Sequence, residues 1–119
     1  MEKIFRKIKQ KDIWLSPFPF SDFSETKIRP VLVMSNNNIN NNYDIIVCAI
    51  TTSIKENQYI VKIDNTNLEE GYLICSSSVR TENILKINKK LLIKKIGKLN
   101  NQTFELVIEK FKSIFDEDL

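Results

Sequence analysis

Histidine is absent from this 119-residue chain, glycine occurs twice, proline three times and cysteine twice. Each scarcity excludes something. Without histidine, acid–base work near neutral pH falls to carboxylates, lysine, arginine, tyrosine or cysteine, because the one side chain that titrates there unaided is missing. Two cysteines and no histidine leave no usual Cys/His zinc set to assemble. Cys48 in IIVCAI and Cys75 in YLICS both sit in apolar runs, which predicts two buried free thiols and no disulfide. No apolar run approaches the roughly 18 residues of a membrane span. The basic start, with Lys3, Arg6 and Lys7, is not followed by the apolar core of a secretory signal, so a soluble cytoplasmic protein is expected.

What is present reads as one domain covering residues 1–119, since the length suits a single core. Residues 1–10 place Ile4, Phe5 and Ile8 at helical spacing, a short arm or docked helical turn. Six segments then read as strands rich in β-branched and aromatic residues: DIWLSPF, PVLVMS, YDIIVCAIT, QYIVKID, GYLICSS and ILKI. No long helical pattern interrupts them, which predicts a mainly β fold with an antiparallel, barrel-like sheet. NNNINNN at 36–42 and DNTNLEEG at 64–71 read as polar loops. Phe104, Val107, Ile108, Phe111, Ile114 and Phe115 recur at helical spacing behind Asn100 or Asn101, predicting a closing amphipathic helix over 100–116.

Pro17 and Pro19 cannot donate to a ladder, so the first strand is expected to be an edge, or to end in a bulge, at that point. The polar segment after it, SDFSETKI, is either a loop that lies across a ligand or an ordinary hairpin connection. Phe18, Phe20 and Phe23 are read as core or interface residues before base-stacking platforms. Arg29 precedes Pro30, which holds its backbone extended at the mouth of an apolar strand. Guanidinium grips phosphate bidentately and stays charged, which suits a phosphoryl-transfer transition state, although a lone arginine is more often a surface ion-pair partner. Thr51, Thr52 and Ser53 close the IIVCAI strand, where hydroxyls either meet a phosphate or cap the strand end. The net charge of +3 is mild; Lys86, Lys89, Lys90, Lys94, Lys95 and Lys98 cluster as a solvated face or a nucleic-acid contact, and Asp116, Glu117 and Asp118 make the last residues acidic.

The run KDIWLSPFPFSDFSETKIRPVLVMS resembles the opening of the MazF/PemK family of toxin endoribonucleases, and IIVCAITTS and SSSVRTENILKINKKLLIKKIGKL resemble its central and late segments. The resemblance runs in order from about Lys11 to Leu99. It implies an SH3-like small barrel of the MazF/CcdB/Kid type that forms a homodimer, needs no metal or cofactor and is neutralised by a cognate antitoxin. The implied activity is cutting of single-stranded RNA by 2′-hydroxyl attack, leaving a 2′,3′-cyclic phosphate and a 5′-hydroxyl; DNA would be met only through the antitoxin. Carried over by position, Arg29 takes acid–base and charge-stabilising roles and Thr51 holds the phosphate. Lys27, Thr52, Ser53, Ser78 and Arg80 are the implied RNA contacts, with Glu82 an alternative partner for Arg80. Three points differ from the family pattern. Lys11 stands where a glycine is common, Ile74 and Ser76 stand where some members carry an arginine and an aspartate, and the asparagine-rich loop is unusual. Other readings are a non-catalytic binding module of the same fold and a gyrase poison, the latter disfavoured by the FDEDL ending.

Overall fold

A computed structural model describes residues 7–19, 26–52 and 57–118. Its strands are β1 (Asp12–Pro19), β2 (Thr26–Val33), β3 (Asp44–Thr51), β4 (Ile60–Ile63), β5 (Leu68–Gly71), β6 (Ser77–Asn88) and β7 (Lys94–Leu99). Two helices, α1 (Asn37–Asn40) and α2 (Asn101–Ser113), and 3-10 turns at Asn65–Asn67 and Lys89–Leu91 complete it. All pairings are antiparallel, in the order β4-β6-β3-β2-β1-β7-β5, so the fold is the mainly β sheet with a C-terminal helix that the sequence predicts.

The sheet cannot be flat. Six strand intervals of about 4.8 Å would hold its edges about 29 Å apart, whereas the five steps from Ile63 at the end of β4 to Leu68 at the start of β5 span at most about 18 Å. The sheet therefore curls until its edges approach, and the turn at Asn65–Asn67 bridges them. Among the described residues no ladder joins β4 to β5, so the barrel stays open along that seam.

Both faces of the middle strands are apolar, as a doubly covered sheet requires. On one face Leu32, Cys48, Ile50, Val61, Ile63, Val79 and Leu99 pack with Phe104 and Val107 of α2. Asn100 starts that helix by accepting from the Thr103 N–H at 2.8 Å. On the other face Trp14, Phe18, Val31, Val33, Val47 and Ala49 pack with Ile8 and Leu92. Leu92 arrives because the chain must pass from β6, beside β3, to β7, beside β1, and the Lys89–Leu91 turn makes that crossing.

Several expectations need correction. GYLICSS is not a strand: β5 ends at Gly71, whose φ of +90° suits glycine, and a Cβ there would lie 2.3 Å from Gly97 Cα. Leu73 then stays buried because the Asn65 side chain brackets its backbone, accepting from its N–H at 2.6 Å and donating to its carbonyl at 3.1 Å. Ile74 projects into solvent and Cys75 is exposed rather than buried. Cys48 is buried as expected, and burial, with the charge of Glu82, pushes its thiol far up. The asparagine run is not a plain loop either. Asn36 caps α1, and buried Asn40 donates to the Ser35 carbonyl at 2.8 Å, accepts from Ser35 Oγ at 2.6 Å and receives Lys89 Nζ on its own carbonyl. LIKKIGKL, not read as a strand from the sequence, contains β7, and DNTNLEEG contains β5 behind an Asp64–Asn67 capping box.

β1 pairs with β7 only from Asp12 to Leu15, with a register shift between Ile13 and Trp14. Pro17 and Pro19 lie beyond that ladder, where β1 is an edge as predicted. Residues 7–10 form no regular element, and residues 1–6 lie outside the described chain, as do Phe20 and Phe23.

Candidate active site

Sheet register gathers the polar residues. Ser16 on β1 pairs with Arg29 on β2, and Thr51 on β3 pairs with Ser78 on β6, which pairs with Lys62 on β4. The β2–β3 ladder pairs Val31 with Ala49, and two residues further along the same register Arg29 stands opposite Thr51. Since opposed residues of antiparallel strands share a face, Ser16, Arg29, Thr51, Ser78 and Lys62 form one row across five strands. Lys27, opposite Phe18, and Arg80, opposite both Ala49 and Ile60, flank that row on the same face.

This face is the one carrying Trp14, Val31 and Ala49; the row lies where its apolar cluster gives way to polar side chains. Ser16 and Ser78 are buried, Arg29, Thr51 and Arg80 are half-buried, and Lys27, Thr52 and Lys62 are exposed. Alternation explains the grouping. Ile28, Leu32, Ile50, Val61 and Val79 point to the opposite side, so the intervening polar residues must point to this one. Ser53 lies outside the described residues.

The Arg80 guanidinium binds Glu82, at 2.7 Å through Nη2 and 3.2 Å through Nε, so the alternative partner foreseen for Arg80 is engaged. Phe18 is buried in the apolar cluster, which makes it a core residue rather than a stacking platform. Among the described residues no three His, Cys, Asp or Glu side chains gather as a metal-holding set, and no helix is long and apolar enough to cross a membrane. Chemically, the row offers fixed cations and hydroxyls to a phosphate.

Residues 9–115 match the family model of the PemK-like, MazF-like toxins of type II toxin–antitoxin systems. This chain belongs to that family. Among solved structures it is similar to the Mycobacterium tuberculosis toxin MazF-mt6, with 25% identity, 91% of this chain and 99% of that one covered, and a TM-score of 0.73. A mycobacterial endoribonuclease solved in complex with its cognate antitoxin shares the fold at 15% identity, with 93% and 99% covered and a TM-score of 0.75. So does a MazE–MazF structure from Deinococcus radiodurans, at 15% identity, 92% and 96% covered, and TM-score 0.72. A search of curated protein sequences returns no match.

The places where this chain departs from the MazF-like pattern have local consequences. Lys11, where a glycine is common, has a φ of 82°, the left-handed backbone that glycine adopts freely, and its Nζ donates to Asn101 Oδ1 at the start of α2. Ile74 and Ser76 fall in the exposed segment between β5 and β6, Ser76 two residues before Ser78 of the row. The lysine cluster is largely occupied: Lys95 faces Asp12 and Glu70, Lys98 faces Glu69, Lys86 faces Asp44, and Lys89 holds the Asn40 carbonyl. It is a structural and solvated face, and the basic residues beside the row come from elsewhere. Lys62 and Ser16 were not singled out from the sequence. The available signal was strand phase, since Lys62 interrupts an apolar alternation in YIVKI and Ser16 keeps the phase of Asp12 and Trp14.

Proposed function

We propose that this MazF-like toxin is a sequence-selective endoribonuclease that cuts single-stranded RNA without a metal ion. The 2′-oxygen attacks the adjacent phosphorus, the bond to the 5′-oxygen breaks, and the products carry a 2′,3′-cyclic phosphate and a 5′-hydroxyl. The observation that carries the reading is the row itself, with Arg29 opposite Thr51 in register and Ser16 and Ser78 on either side. Arg29 stabilises the charge that develops on the phosphoryl oxygens, Thr51 hydrogen-bonds the phosphate, and Lys27, Thr52, Ser53, Ser78 and Arg80 hold the strand. The family resemblance gives proton transfer to Arg29 as well.

The same basic face suits an acidic segment of a cognate antitoxin, and solved relatives carrying an antitoxin support that partnership. The toxin works as a homodimer in the cytoplasm and meets DNA only through the antitoxin. Purified protein incubated with a long, weakly structured RNA in EDTA tests the reading. Discrete cuts with 5′-hydroxyl ends are expected; binding to that RNA without any cut would favour a non-catalytic module of the same fold.

A further inference from the structure

We infer that Lys62 is a second phosphate grip, holding the RNA at a phosphate neighbouring the one that is cut. The inference rests on the ribonuclease reading above. Lys62 pairs with Ser78, and Ser78 pairs with Thr51, so Lys62 ends the row that Arg29 and Thr51 occupy. It lies on the same face: its strand neighbours Val61 and Ile63 pack into the opposite cluster with α2, and β4 side chains alternate. β4 is an edge strand, so among the described residues the row ends at Lys62. Three strand intervals of about 4.8 Å put the Cα atoms of Arg29 and Lys62 about 14 Å apart. That spacing leaves room for the two cations to meet successive phosphates of one strand, Arg29 at the one that is cut and Lys62 at a flanking one.

The chemistry fits this division. Between Arg29, with Lys27 beside it, and Lys62 the row carries the hydroxyls of half-buried Thr51 and buried Ser78. An ammonium on a flexible stem binds phosphate as a point charge and reads no base. Lys62 therefore contributes affinity for the substrate strand independently of its sequence and takes no part in bond breaking.

The test compares wild type, Lys62→Ala, Lys62→Arg and Lys112→Ala on a short fluorophore–quencher RNA taken from a mapped cut site. Lys112, on α2 against the opposite face, controls for loss of one positive charge. Lys62→Ala should raise KM roughly fivefold, leave kcat within about twofold and lower the slope of log affinity against log salt by about 0.7, the single-strand value for one phosphate contact. Lys62→Arg should restore most of the affinity, and Lys112→Ala should change neither KM nor slope. An unchanged KM and salt slope in Lys62→Ala, an equal effect from Lys112→Ala, or a loss confined to kcat would each overturn the inference. Failure of the wild type itself to bind or cut RNA would instead overturn the ribonuclease reading, and Lys62 with it.

Discussion

Replacing Asp12 removes a buried carboxylate on which the start of β1 depends. Asp12 is fully buried; its Oδ2 accepts from the Lys9 N–H at 2.9 Å and from Trp14 Nε1 at 3.2 Å. Among the described residues Oδ1 receives no hydrogen bond, and the Lys95 ammonium 3.4 Å away offsets its charge. Hydrogen bonds to a charged acceptor contribute about 1.5–3 kcal/mol each. Asp12→Ala strips both and leaves two donors in or near the interior, so a loss of about 3–5 kcal/mol is expected. Lys95 adds little to that figure because Glu70 still holds it at 3.1 Å. Asp12→Asn keeps the volume but must turn its amide toward either the two donors or the ammonium, for about 2–3 kcal/mol. Lys95→Ala should cost only about 1 kcal/mol, since a side chain one-third exposed is partly replaced by water. Urea unfolding followed by circular dichroism and by fluorescence of Trp14, the single tryptophan, measures all three. At roughly 3–5 °C per kcal/mol for a domain of this size, Asp12→Ala should melt about 10–20 °C lower. An Asp12→Ala protein within about 1 kcal/mol of wild type would refute the reasoning, and so would a reversed order of the three variants.

Lys11→Gly should be about 1 kcal/mol more stable than Lys11→Ala by urea unfolding. Both lose the contact to Asn101, and the left-handed backbone at φ 82° costs a Cβ about 1–2 kcal/mol, from which the unfolded-state entropy of glycine takes back about 0.4–1; an alanine variant of equal or greater stability would show that the turn carries no strain. The Lys95 ammonium is pushed down by burial, but the hydrogen bond to Glu70 and the charge of Asp12 outweigh this and raise it above its ordinary 10.5. A raised folded value means the stabilisation is fully present below about pH 10.5 and fades as pH climbs through the folded pKa. The melting difference between wild type and Lys95→Met should therefore be constant through neutral pH and shrink at alkaline pH, and a difference that persists unchanged at alkaline pH would contradict the assigned partners.

Strand-forming runs were legible because β3 and β6 are apolar wherever the sheet is covered, and α2 because its apolar residues keep a helical period behind a capping asparagine. β5 and β7 were hidden by composition. LEEG and KKIGKL are short and charged; β5 is an edge strand held by β7, and β7 is held between β5 and β1, so tertiary contacts override propensity. The helical turn in the asparagine run was illegible because nothing in NNNINNN marks Asn40 as the side chain that fastens to Ser35. Cys75 was misjudged because an apolar neighbourhood in sequence is not one in space once Gly71 turns the chain out of the sheet. For the candidate site, Arg29 and Thr51 carried signals in Pro30 and the strand end. Ser16 and Lys62 did not, because their meaning depends on register across strands far apart in the chain.

Arg29 acting at the phosphate is tested most directly by the single-turnover cutting rate of wild type and Arg29→Ala on one RNA in EDTA, after circular dichroism has shown both folded. Loss of a preorganised donor to a developing oxyanion typically costs about 10²–10³-fold. A drop of at least that size, with 5′-hydroxyl ends in the wild-type products, is the predicted result. Cutting by Arg29→Ala at the wild-type rate, or wild-type ends other than 5′-hydroxyl, would contradict it.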